Sequence, residues 1–289
     1  MTSAMTLRLS AGDYLLELAP ERGGAILRLD WRGKPLLRPA CGGAITDAAS
    51  FPLVPFSNRI AHGRFRAGDH AVRLAPNLPG SDHPHPLHGF GWLAPWTVAA
   101  RDAASAVLEH AYVLGEWPWS YVARQVFTLR DDGLEMMLSV TNLDENAMPA
   151  GLGFHPYFPR SDDAVYTGLH RGEWRTGADG LPISLDERDA AIDWWEGAAV
   201  SARSVDTAYT GRQGPLRIVW PARALALQLD PSPELASTVV FTPAGEDFFC
   251  VEPVSHATDA HNRDGGAELR WLARGESFAV SLNLTASAL

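Results

Sequence analysis

The chain has very little cysteine, no long apolar run, no basic excess and no stretch that holds a helical period. Its two cysteines, Cys41 and Cys250, lie far apart and outside any metal-ligand spacing. That argues against a disulfide framework and a multi-cysteine zinc motif, and favours the expectation of two reduced, buried thiols. No apolar run approaches the length needed to cross a bilayer, and no basic segment leads into an apolar stretch near Met1. A cytoplasmic location with no membrane partner is therefore expected. The net charge of −10 and the lack of any Lys/Arg run argue against nucleic acid as a partner.

What the chain does have is alternation. Leu134, Met136, Leu138 and Val140 alternate with Glu135, Met137, Ser139 and Thr141, which predicts a half-buried strand. The segment Tyr121 to Leu129 precedes it across Arg130-Asp131-Asp132-Gly133, so the two predict a hairpin. Phe278, Val280, Leu282 and Leu284 repeat the pattern near the C-terminus. Shorter apolar segments at 14–18, 25–31, 106–112 and 224–229 are bounded by Gly, Pro, Asp or Asn. With 26 glycines and 21 prolines spread throughout, many short strands joined by loops fit better than an α/β arrangement. The predicted fold is all-β, a large antiparallel β-sandwich. Its 46% hydrophobic content suffices for a substantial core. No repeat, low-complexity tract or linker divides it, so one domain over residues 1–289 is expected. Residues 76–96 and 156–200 look least like strands and are expected to be loops that carry binding residues.

Four islands set a polar group among apolar or aromatic neighbours: Phe51 to Ile60, His85 to Trp92, Gly151 to Phe158, and Phe248-Phe249-Cys250-Val251-Glu252-Pro253-Val254. Glu252 is the most informative residue, because an ionised carboxylate in so apolar a strand carries a large desolvation cost unless a site uses it. His88 and His155 occupy aromatic-flanked turns, where an imidazole can exchange a proton near neutrality or simply be a satisfied structural group. Two histidines beside an embedded carboxylate shift the balance toward an acid/base site. Arg59 either forks two hydrogen bonds to a ligand or pairs with a structural carboxylate. A metal reading of His83, His85 and His88, extended to His256 and His261, is weak, because the intervening prolines prevent presentation on one helical face. The ten tryptophans are core residues unless some line a cleft, where they offer platforms to a sugar ring.

Taken together, Pro55-Phe56-Ser57-Asn58-Arg59-Ile60, His85-Pro86-Leu87-His88-Gly89-Phe90, Phe154-His155-Pro156-Tyr157-Phe158 and Cys250-Val251-Glu252-Pro253, in this order, resemble the aldose 1-epimerase (mutarotase) family. Asn77 and the segment 272–278 add matching pieces. The resemblance implies the same sandwich, no metal and no organic cofactor. It implies that Glu252 is the general base toward the anomeric hydroxyl and His155 the general acid toward the ring oxygen. It further implies that His88, Arg59, Asn58 and Asp206 bind the sugar. The stretches around His155 and after Glu252 depart from those of galactose mutarotases proper, which suggests a divergent bacterial-type branch. An epimerase of a hexose 6-phosphate and a non-catalytic carbohydrate-binding protein are the competing readings. Neither a monomer nor a homodimer is preferred by the sequence.

Overall fold

The structure is a computed structural model and describes residues 5–187 and 194–289. Every pairing between its strands is antiparallel. A nine-stranded sheet runs in the spatial order 198–199, 165–167, 216–220, 225–231, 277–288, 133–142, 121–130, 105–112 and 97–101. An eight-stranded sheet follows the order 182–187, 172–176, 206–210, 237–241, 248–254, 153–154 and 52–53, with 157–159 also pairing against 248–254. A four-stranded N-terminal sheet and two short ribbons complete the strands. No helix among the described residues is long and apolar enough to span a membrane.

Alternation accounts for the central hairpin. Tyr121, Ala123, Gln125, Phe127 and Leu129 point inward, and Val122, Arg124, Val126 and Thr128 between them are less buried. The register pairs Arg130 with Gly133 and Phe127 with Met136, as the turn residues predict. Gln125 is the polar exception on the inner face, and its amide donates to the Gly24 carbonyl at 3.1 Å, so burial leaves that donor satisfied. Phe127, Leu138, Leu229 and Leu282 of the large sheet share one core cluster with Phe158, Tyr209, Val240 and Val251 of the other, which makes the molecule a β-sandwich.

Two expectations need correction. Residues 157–187 contain four strands, Tyr157–Pro159, Val165–Thr167, Gly172–Thr176 and Pro182–Glu187, where a loop was expected. Each is short and rich in turn residues, so period-two alternation never accumulates enough positions to register. Residues 188–193 of that stretch lie outside the described residues. Cys41 is exposed rather than buried, because it sits in a Pro-Ala-Cys-Gly-Gly surface loop with no apolar segment over it. Cys250 is buried as expected.

Candidate active site

The strand Phe248–Val254 turns alternate residues to opposite faces. Phe249 and Val251 enter the main core, while Cys250 and Glu252 face a second cluster with Phe51, Leu87, Trp92 and Tyr157. Glu252 pairs with Val239 in the next strand, so its carboxyl lies well inside the sheet and is only 2% exposed. His155 occupies the step between Gly153–Phe154 and Tyr157–Pro159. Its N–H donates to the Phe51 carbonyl at 3.1 Å, and that of Tyr157 donates to Ala49 at 2.9 Å, so the backbone is pinned on both sides of the imidazole. The ring lies between Phe51 and Tyr157, with centroids 4.5 and 4.8 Å away.

His155 Nε2 is 3.3 Å from Glu252 Oε1. Burial pushes the Glu252 carboxyl well above the usual carboxylate range; the Asp206 charge adds to this and Arg59 opposes it. Burial also lowers His155 to about 3, and the Arg38 cation acts in the same direction. Both effects disfavour a charge on either group. Glu252 Oε2 is buried without a hydrogen-bond partner, and the residue borders an adjoining space.

That space is a cavity of about 120 Å³. It is lined by Glu252, His155, His88, Arg59, Asn58 and Asp206, together with Leu87 and Phe241. All six candidate residues therefore converge. His88 adopts a left-handed backbone, φ 59°, and its Nδ1 accepts the Asn58 N–H at 3.2 Å. A neutral His88 must then carry its proton on Nε2, as a donor. Burial holds His88 well below its ordinary pKa, with His155 and Arg59 as smaller causes. Asn77 straddles the turn: its amide donates to the carbonyls of Leu87 and Gly89 at 2.8 and 3.0 Å, and its oxygen accepts the Leu87 N–H at 2.6 Å.

Arg59 is held on three sides. Nη2 donates to Asp206 Oδ2 at 3.0 Å, Nη1 to Asn58 Oδ1 at 3.1 Å and Nε to His83 Nε2 at 3.2 Å. Gly180, φ 77°, packs against the guanidinium so closely that a Cβ there would stand 2.6 Å from Arg59 Cζ. Beyond Arg59 and Asp206 the space opens into an outer cavity of about 720 Å³ that also meets Asp82, Asp179, His83 and Thr176.

The histidines of the metal reading are not gathered into a group of three converging donors among the described residues. Lone pairs of His85, His88 and His256 accept backbone N–H groups of His62, Asn58 and Ser57, and His83 Nε2 accepts from Arg59. Tryptophan does not line the inner cavity either. Trp92, Trp96, Trp117, Trp119 and Trp194 are core residues, Trp195 packs against the core, and the aromatic wall is Phe241. Phe51, Tyr157 and Arg38 form a layer behind the His155 ring that the sequence did not single out. Phe51 touches the rings of His88, Trp92, His155 and Tyr157. The buried Arg38 guanidinium lies 4.4 and 4.6 Å from the centroids of Tyr157 and Phe248, and donates to the Thr46 and Ala48 carbonyls.

A family model for aldose 1-epimerase matches residues 5–285. The chain belongs to the aldose 1-epimerase family. The uncharacterized protein YphB of Escherichia coli K12 is 34% identical over 286 residues, covering 96% of this chain and 97% of that one. A crystal structure from Escherichia coli K12, of a protein provisionally named an aldose 1-epimerase, superposes with a TM-score of 0.91 at 33% identity and covers 99% of both chains. A galactose mutarotase-like protein from Clostridium acetobutylicum has the same fold, with a TM-score of 0.86 at 19% identity over 98% of this chain and 95% of that one. The aldose 1-epimerase fold thus extends over nearly the whole chain, and the Glu252 strand is an interior strand of its eight-stranded sheet.

Proposed function

We propose that this protein is an aldose 1-epimerase that interconverts the α and β anomers of a free aldose with its own side chains, residues 1–289 forming one domain. The observation that carries the reading is the Glu252–His155 pair, 3.3 Å apart, at the wall of a cavity that all the candidate residues share.

In the reactive tautomer Glu252 is a carboxylate and His155 an imidazolium. Glu252 takes the proton from the anomeric hydroxyl as His155 delivers one to the ring oxygen, and the bond between the anomeric carbon and the ring oxygen breaks. The open-chain aldehyde rotates about its C1–C2 bond, and reversal of both transfers closes the other anomer. Ring opening converts the pair from Glu⁻/HisH⁺ to GluH/His, and closure restores it, so no proton is exchanged with solvent. An apolar surround supports this, since both tautomers are neutral overall. The His88 Nε2–H and the Arg59 guanidinium serve as donors to sugar oxygens, and Asp206 and Asn58 as acceptors from hydroxyls.

The charge around the outer cavity favours a free sugar over a sugar phosphate. Asp82, Asp179 and Asp206 face it, and Arg59 is already paired with Asp206. Polarimetry of freshly dissolved α-D-glucose, α-D-galactose and a panel of pentoses tests the reading. Wild type should accelerate mutarotation of at least one of them. Glu252→Gln and His155→Asn should each lose about 10²–10⁴ in rate while still binding sugar. Equal rates for wild type, Glu252→Gln and buffer across the panel would leave a carbohydrate-binding protein as the better account.

A further inference from the structure

Among the described residues, one group of three metal-ligating side chains has converging donor atoms: His155, Cys250 and Glu252, all within 4.8 Å of one another and all buried. The catalytic proposal uses only two of them. Cys250 and Glu252 are alternate residues of one strand, so their side chains leave the sheet on the same face, beside the imidazole.

We propose that this triad is a binding site for a thiophilic divalent cation, Zn²⁺ in the first instance, which blocks the epimerase site by occupying its proton-transfer groups. The blocking role rests on the reading above; the site itself does not. The donor set is one imidazole nitrogen, one thiolate sulfur and one carboxylate oxygen, a mixture that suits zinc and discriminates against magnesium and calcium, which take oxygen ligands. Three protein donors leave the fourth tetrahedral position open toward the cavity for water or a sugar hydroxyl, since Glu252 and His155 both line that cavity. His88 is not the fourth ligand: its Nδ1 lone pair is held by the Asn58 N–H, so its proton resides on Nε2.

A dication bound by one thiolate and one carboxylate is neutral overall, the form that a buried site tolerates best. Tetrahedral zinc with bonds of about 2.0–2.3 Å sets its donors roughly 3.5 Å apart. The widest separation in the triad must therefore close by about 1 Å, within reach of χ rotations at Cys250 and Glu252.

The test uses the full chain, stripped with a chelator, titrated with Zn²⁺ by calorimetry and with Co²⁺ by absorption. One site per chain is expected, with a thiolate-to-cobalt charge-transfer band. Cys250→Ser and Cys250→Ala should each weaken Zn²⁺ binding at least tenfold and abolish the band, and thermal melting checks that both remain folded. If the wild type shows mutarotation, Zn²⁺ should inhibit it, and Cys250→Ser should retain metal-free activity and escape inhibition. No charge-transfer band, or Zn²⁺ affinity unchanged in both Cys250 variants, overturns the proposal. A cobalt band in a protein that turns over no sugar would instead overturn the epimerase reading and leave the metal site standing.

Discussion

Single residues in the site are fixed by their neighbours more than by their own chemistry. Arg59 illustrates this, because Asp206, Asn58, His83 and the bare face of Gly180 each hold one side of its guanidinium. A methyl group at position 180 has no room and would also occupy a left-handed backbone, φ 77°, that β-carbons disfavour. Gly180→Ala should therefore displace Arg59 and raise KM several-fold, with a smaller effect on kcat, because the role proposed for Arg59 is to bind the sugar and not to transfer the proton. Initial rates over a range of sugar concentrations separate the two parameters, and unchanged KM would show that the guanidinium does not contact substrate.

At the scale of elements, the site is a meeting of three neighbouring strands, 206–210, 237–241 and 248–254, with three turns. The Glu252 strand supplies the embedded carboxylate, and the turns at 54–60, 87–89 and 154–157 deliver Asn58, Arg59, His88 and His155 to it. The turn bearing His88 has a strained residue at its centre and depends on Asn77, which bonds the backbone on either side. Asn77→Ala removes a donor and an acceptor and leaves the Leu87 N–H without its partner. The expected outcome is a loss of about 1–3 kcal/mol in denaturant unfolding together with reduced activity, since His88 loses its position. Preserved activity at reduced stability would mean that the turn holds itself.

For the whole molecule, burial of histidine governs the response to acid. Of the ten histidines, seven are buried: His85, His88, His110, His155, His170, His256 and His261. All seven are pushed below the ordinary histidine pKa, chiefly by burial, with His155 and His170 at about 3. The unfolded chain therefore binds more protons than the native one below about pH 6.5, and stability falls as pH drops from there toward 3. Glu252 has the opposite sign, because its raised pKa costs stability as pH rises, but it is one group against seven. Urea midpoints should fall steeply between pH 7 and pH 5. His170→Gln should flatten that slope by roughly 1 kcal/mol per pH unit, because His170 lies away from the site with Nε2 3.0 Å from the Thr238 hydroxyl. A slope unchanged in this variant would mean that His170 is not a buried neutral group.

The sequence alone determined whatever depends on local periodicity or on unusual placement. The alternating strands at 121–140 and 277–288 were legible because a half-buried strand must alternate. Glu252, His155, His88 and Arg59 stood out as candidates because polar groups embedded in apolar islands are costly without a use, and the motif resemblance then singled out the same four. The strands within 157–187 escaped notice, being too short to show a period. Phe51, Tyr157 and Arg38 were hidden because aromatic stacking and cation–aromatic contacts join residues distant in the chain and leave no local pattern. Only the tertiary structure decided that Asp206 reaches Arg59, that Cys41 is exposed, and that Cys250 stands beside the His155–Glu252 pair. The reason is physical: a side chain's intrinsic chemistry is written in its identity, whereas its proton affinity, its partners and its access to a ligand come from neighbours that only folding brings within a few ångströms.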